Sequence, residues 1–204
     1  NGAGGGGVSA RWPRITIVTP SYNQGAFIGQ TIESVLAQGY PDLEYIVMDG
    51  ASTDNTVEVL RQYDGRLTWI SERDRGQVDA INKGLRIATG EVLAYLNSDD
   101  LYLPGALLAV GRRFANQPES AWLTGRCRVV DQDNREIRKG LTHYKNTWLR
   151  VANYQTLQIT NFVSQMATFW RRGVSERIGE LNESLHYVMD YDYWMRIGRH
   201  HKLH

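Results

Sequence analysis

In the stretch "LAYLNSDDLYLP" (93–104), two mutually repelling carboxylates, Asp99 and Asp100, stand side by side where one apolar run stops and another begins. Consecutive side chains diverge, so one of the pair is expected to face a site while the other points elsewhere. A hard divalent cation that bridges a diphosphate takes one or two protein carboxylates and completes its shell with phosphate oxygens and water. Asp99 suits that task, with Asn97, two residues earlier, pointing the same way and lending a carbonyl oxygen. The plainer alternative is an Asx turn and N-cap for a helix near Leu103, since Asn, Ser and Asp all favour such positions.

Four more stretches carry comparable chemistry. In "MDGASTDNT" (48–56), Asp49 can accept from a nucleobase N–H or a ribose hydroxyl, and Gly50 and Ala51 leave room for a flat ligand, while Asp54 is expected mainly to cap the next helix. In "TPSYN" (19–23), Tyr22 offers an aromatic face for a base, whereas Asn23 reads as a turn residue. "SERDRGQVDAINKG" (71–84) holds Asp74 and Asp79, and its cations Arg73, Arg75 and Lys83 either meet a diphosphate or are solvated helix charges. In "YVMDYDYWMR" (187–196), Asp190 and Asp192 fall on different helix faces. Asp190, near the helix start, is either a general base kept ionised by the dipole or an ordinary first-turn acid. The five histidines show no metal-ligand spacing.

These stretches need a scaffold that brings them together. Strands are predicted at 14–23, ended by Pro20, and at 43–50, 67–71 and 91–97. They alternate with helices at 25–38, 52–63, 76–89 and 103–116 that show a 3.6-residue apolar period. Four βα units with near-continuous apolar strands imply a mostly parallel sheet covered on both faces, whose ligands gather at the carboxyl ends of the strands. Four of the five polar stretches sit at those ends. Beyond about residue 120 an α+β extension is expected: a hairpin around "DQDN" (131–134), a strand over 161–172 and a helix over 189–201.

Bulk composition sets limits. With 204 residues and 42% hydrophobic content, the chain can bury one substantial core. A formal charge of +1 gives no basic field for a phosphate backbone, which makes nucleic acid a poor partner. No run reaches the roughly 18 apolar residues of a membrane span, and no signal-peptide layout opens the chain, which points to a cytoplasmic location. The lone Cys127 excludes an internal disulfide and reads as a small core residue. The opening "NGAGGGGVSA" has nothing to bury, so residues 1–12 are expected to form a flexible leader and 13–204 one domain.

Taken in order, "TPSYN", "MDGASTDNT", "SERDRGQVDAINKG", "NSDD" and "MDYDYWMR" resemble the family 2 glycosyltransferases, and the resemblance covers the chain from about 14 to 200. It implies a GT-A fold with a nucleotide-binding half (14–116) and an acceptor half (117–204). It also implies inverting transfer from a nucleotide-sugar donor to a hydroxyl of a glycan or lipid-linked acceptor, with bound Mg2+ or Mn2+. By position, Asp99 matches the metal-binding aspartate, Asp49 the base-recognising acid and Asp190 the catalytic base. Pro20 and Tyr22 match the loop beside the nucleoside, and Asn23, Asp74, Asp79, Asn97 and Ser98 complete the expected nucleotide contacts.

Three departures stand out: Asn97 replaces a common aspartate, Gly50 the second acid of a usual pair, and Met189 a frequent acid before Asp190. "RHHKLH" closes the chain just after the base helix, leaving room for a further closing or acceptor segment, and peripheral attachment to the inner membrane face through other segments is compatible with this reading. A nucleotidyltransferase would want a Gly-rich basic loop after the first strand, which "TPSYNQG" is not. A non-catalytic binding module is separated from the transferase reading only by assay.

Overall fold

The computed structural model describes residues 11–131 and 135–203. Strands β1 (Ile15–Ser21), β2 (Leu43–Asp49), β3 (Thr68–Ser71) and β4 (Val92–Tyr95) alternate with helices α1 (Ile28–Leu36), α2 (Thr56–Arg61), α3 (Gln77–Ile87) and α4 (Ala106–Asn116). Then follow β5 (Trp122–Thr124), β6 (Val129–Val130), β7 (Glu136–Ile137), α5 (Lys139–Trp148), α6 (Tyr154–Ile159), β8 (Thr168–Arg171), α7 (Arg172–Ile178) and α8 (Met189–Gly198).

The main sheet has the order β3-β2-β1-β4-β8-β5, with β1 to β4 mutually parallel. β8 runs antiparallel to β4, and β5 antiparallel to β8, so β5 again points the same way as β4. The carboxyl ends of five strands therefore open on one edge of the sheet.

Strand pleating divides the core. Ile15, Ile17, Tyr45, Val47, Val92 and Ala94 face one layer, which α1, α2 and α4 cover. Val18, Ile46, Met48, Leu93 and Tyr95 face the other, which α3 and α8 cover. α1 shows how the period achieves this: it buries Ile28, Thr31, Ile32 and Val35, one stripe of the helix. On the α8 side, Trp122 stacks on Trp194 at 5.9 Å, and Trp170 meets Trp194 and Tyr193 edge-on at 5.6 and 5.4 Å. Such pairs add about 0.5–1.5 kcal/mol each beyond the area they bury. They fix α8, and with it Asp190, against the sheet.

Several boundaries differ from the sequence reading. Pro20 does not end β1; it pairs in register with Met48, and the strand runs on to Ser21. α3 stops at Ile87 with Ala88 as its C-cap, short of the expected 89, and Gly90 lies against Thr16, which accepts its amide at 2.9 Å. The hairpin expected around 131–134 is present but short, β6 pairing antiparallel with β7, while the start of the 121–140 segment joins the main sheet as β5. Residues 132–134 of the expected "DQDN" turn lie outside the described residues. The strand expected over 161–172 shrinks to β8, and α5, α6 and α7 were not anticipated. Cys127 is half-buried rather than in the core, with Sγ 2.9 Å from Ser164 Oγ. Of the expected leader, residues 1–10 are outside the description, but Trp12 is packed edge-on against Tyr40 at 5.6 Å.

Candidate active site

A cavity of about 750 Å³ opens at the carboxyl edge of β1, β2, β3 and β4. Pro20 lines it from the end of β1 and Tyr22 from the loop that follows, Gly50 and Ala51 from the loop after β2, Arg73 and Asp74 from the loop after β3, and Asn97, Ser98 and Asp99 from the loop after β4. Tyr22 is 58% exposed, so its ring is free to receive a flat partner.

The first two loops are stapled to each other. Asn23 holds a left-handed φ of 53°, which its short amide tolerates. Its Oδ1 accepts the Thr53 amide at 2.8 Å, and its own amide donates to Ser52 Oγ at 2.8 Å. Gln24 and Gly25 amides reach Thr56 Oγ1 and Asp54 Oδ2 at 2.9 and 3.1 Å. Asn23 thus shapes the cavity without lining it. The N-cap of α2 is Asn55 rather than the expected Asp54, which stands one residue earlier and accepts the Thr56 amide at 2.9 Å.

Asp49 is buried, and its carboxylate meets three donors: the Ser52 amide at 3.0 Å, the Ser52 hydroxyl at 2.5 Å and the Ser71 hydroxyl at 2.6 Å. It ties the β2 loop to β3 and is not among the cavity-lining groups. Asp74, by contrast, lines the cavity, and its Oδ1 accepts the Gly76 amide at 2.8 Å at the start of α3. Gly76 takes a φ of 117°, a region that side chains avoid.

Asp79 also stands back. Its side chain is 2% exposed and accepts the Arg75 amide and guanidinium, each at 3.0 Å. Burial alone would raise its pKa, but the Arg75 amide and the Arg75 and Lys83 charges hold it below the ordinary 3.8. Arg75 is further clamped by Glu183 at 2.7–2.9 Å, and Lys83 by Glu72 at 2.8 Å. Of the three cations considered for a diphosphate, Arg73 is the one that lines the cavity.

The "NSDD" loop resolves its own ambiguity. The cap of α4 is Gly105, not this loop, although the Asp100 amide does close a turn onto the Asn97 carbonyl at 3.1 Å. Asp99 is exposed to the cavity. Asp100 is half-buried, and burial first, then the Asp99 charge, push it up to about 6 against a hydrogen bond from Asn97. Asn97 Oδ1 is held by Gln77 Nε2 at 2.8 Å, and the Ser98 carbonyl accepts from Thr31 Oγ1 at 2.8 Å. Gln77, in the first turn of α3, was missed by sequence reasoning. Its place directly after a glycine N-cap, at the edge where the other loops meet, was the available signal.

Asp190 sits in the first turn of α8, where Oδ1 accepts the Tyr191 amide at 2.7 Å. Burial raises its pKa, opposed by that amide and by the Lys145 charge. Its own charge, after burial, helps to raise the buried Tyr95 phenol two residues before Asn97. Asp190 is not among the cavity-lining residues. Asp192 turns away to Arg196 at 2.8 Å.

Residues 16–179 match the family described as Glycosyl transferase family 2. The chain belongs to that family. An uncharacterized glycosyltransferase of Rickettsia typhi is 26% identical over 192 residues, 92% of this chain and 59% of the relative. The chondroitin synthase of Escherichia coli is 27% identical over 195 residues, 92% of this chain and 27% of its own length. The chain thus spans less than two thirds of these relatives.

Among solved structures, the mannosyltransferase PcManGT from Pyrobaculum calidifontis, in complex with GDP-Man and Mn2+, superposes with a TM-score of 0.72 at 22% identity, covering 95% of this chain and 54% of that one. S. aureus TarS in complex with UDP-GlcNAc gives 0.71 at 18% identity, covering 94% and 56%. The fold is GT-A, as the sequence resemblance implied. Among the described residues no helix is long and apolar enough to cross a membrane.

Proposed function

We propose that the cavity binds a nucleotide-sugar donor and that the chain transfers the sugar, with inversion, to a hydroxyl of a glycan or lipid-linked acceptor. The observation that carries this reading is the convergence of Tyr22, Arg73 and Asp99, from three separate βα loops, on one cavity in a family 2 chain. Tyr22 offers a stacking face to the base, and Arg73 offers a cation to the diphosphate. Asp49 and Asn23 act by shaping the loops, through the hydrogen bonds described above, and Asp79 by holding Arg75.

The relatives bound to GDP-Man with Mn2+ and to UDP-GlcNAc support a nucleotide-sugar donor and a divalent cation. The residues present fit such an ion. Among the described residues no group of three His, Cys, Asp or Glu side chains could cage it, but Asp99 presents one exposed carboxylate in the cavity. A hard cation held by one carboxylate draws its other oxygens from diphosphate and water. Bound there, Mg2+ or Mn2+ would supply charge neutralisation to the departing nucleoside diphosphate.

In the reaction proposed, the acceptor oxygen attacks the anomeric carbon from the face opposite the diphosphate. The carbon–oxygen bond to the diphosphate breaks, its electron pair leaves with the nucleotide, and Asp190 takes the acceptor proton. The Tyr191 amide and the Lys145 charge favour the ionised form that this role requires.

One observation favours a second reading, a binding module without turnover: Asp190 does not line the cavity. Thermal stabilisation by a panel of nucleoside diphosphates and nucleotide sugars, with Mn2+ and then with EDTA, followed by a transfer assay, tests both. Stabilisation by one nucleotide class that disappears with EDTA is expected, because a ligand of the native state raises its stability. No shift with any nucleotide would sink the donor reading, and binding without product would favour the module.

A further inference from the structure

We infer that the acceptor is a polyanionic glycan, bound on a basic and aromatic surface formed by residues 125–131 and 135–160; this rests on the transferase reading above. Charge in this chain is segregated. Residues 125–160 hold seven Lys and Arg against three Asp and Glu, a net of +4, whereas the whole chain is +1, so the remainder is −3.

Topology places this charge beside the candidate site. β5 runs parallel to β4, so Gly125, Arg126 and Arg128 emerge at the same sheet edge as Asn97 to Asp100. The Gly125 amide is tied to the Ala167 carbonyl at 2.7 Å, and Gln165 Nε2 to the Tyr95 carbonyl at 2.6 Å, which anchors the segment next to the end of β4. From α5, Lys145 donates to the Val163 carbonyl at 3.5 Å, and its charge acts on Asp190. The surface therefore adjoins the proposed base.

The charges are also unspent. Arg126, Arg128, Arg138, Lys139 and Arg150 are exposed, and none forms an ion pair among the described residues. Three cations of the nucleotide half, Arg75, Lys83 and Arg86, are by contrast each paired with a carboxylate. Aromatic rings are interleaved with the free cations. Tyr144 is 44% exposed and edge-on to Trp148 at 6.1 Å, and Tyr187, three residues before Asp190, is 97% exposed. Rings give the C–H faces of a sugar a surface to stack on, and guanidinium groups pair with its carboxylates or phosphates. A neutral glycan would leave these cations without partners.

The test is a binding titration of the chain, followed by intrinsic fluorescence and calorimetry, at low and high salt. The probes are an oligogalacturonate, a glycerol-phosphate oligomer, a neutral malto-oligosaccharide of equal length, and phosphatidylglycerol vesicles. One or both anionic oligomers are expected to bind at least about tenfold more tightly than the neutral one, with the preference collapsing at high salt, and the better of the two names the anion as carboxylate or phosphate. The double variant Arg126→Ala/Arg128→Ala should lose most of that preference with an unchanged melting temperature.

Equal binding of the neutral oligomer, or insensitivity to salt, would overturn the inference, as would binding to vesicles but to neither soluble anionic oligomer. Nucleotide titration of the same preparation separates the two claims. Nucleotide binding without anionic-glycan binding defeats this inference alone, and loss of nucleotide binding by the unmodified chain defeats the transferase reading on which it stands.

Discussion

The carboxylate of Asp74 fills the space beside Gly50: a Cβ built on Gly50 would lie 2.6 Å from Asp74 Oδ2 and 3.2 Å from its carboxyl carbon. An acid from the loop after β3 thus occupies ground that a side chain on the β2 loop would otherwise take. This gives a physical reason for glycine where the family often has a second acid. Gly50→Ala should displace Asp74 and break its bond to the Gly76 amide, a loss of about 1 kcal/mol. Nucleotide binding is then expected to weaken by roughly five- to tenfold. If the effect runs through Asp74, the double variant Gly50→Ala/Asp74→Ala will bind nucleotide no worse than Asp74→Ala, and additive losses in calorimetry would show a different cause.

Asn23 combines a left-handed backbone with acceptance of the Thr53 amide. Asn23→Ala forfeits both, at about 2 kcal/mol, or a fall in Tm of roughly 4–8 °C for a chain of this size. Asn23→Gly keeps the backbone and loses only the hydrogen bonds, so its fall should be about half as large. Scanning calorimetry of the pair decides the matter, since equal losses would show that φ at this position is immaterial.

Much of this arrangement was legible in the sequence, and the exceptions have physical causes. The four βα units were visible because buried strands and amphipathic helices have different periods, and α1 buries the stripe its sequence prescribes. The meeting of Tyr22, Asp74 and Asp99 followed from parallel topology. Asp49 and Asp79 were taken as direct nucleotide contacts because a carboxylate at a strand end looks the same whether it faces a cavity or a neighbouring loop. Only tertiary structure reveals Ser71 on the first and Arg75 on the second. α5 escaped because its apolar residues do not mark a buried face: Leu141 and Tyr144 are each 44% exposed. Thr142 is the buried residue of that helix, and a threonine carries no such signal.

Asp100 offers a pH test independent of catalysis. Its folded pKa of about 6 lies above the ordinary 3.8, so between those values the folded chain holds more protons than the unfolded one and stability falls as pH rises. Above about pH 6 the ionised, half-buried group is a net cost, of up to roughly 3 kcal/mol. In EDTA, Asp100→Asn should be more stable than the parent at pH 7.5 and should match it near pH 4. Denaturant titrations at the two values measure the difference, and a variant that is less stable at pH 7.5 would mean that the charge is wanted.

Asp190 is the residue on which turnover depends in the proposed reaction. Asp190→Asn should retain nucleotide binding, because Asp190 does not line the cavity, and lose turnover by about 10²- to 10⁴-fold, the usual contribution of a positioned base. Its pKa is raised by burial, so a base at this position works only above that raised value, and kcat/KM of the parent should rise with pH along an acid limb lying above 3.8. The Lys145 charge opposes the rise, so Lys145→Ala should move the limb to still higher pH. A pH profile distinguishes this from a structural role, because a merely packed residue would lower the plateau without moving the limb. Turnover of Asp190→Asn within a few-fold of the parent would remove Asp190 from the mechanism.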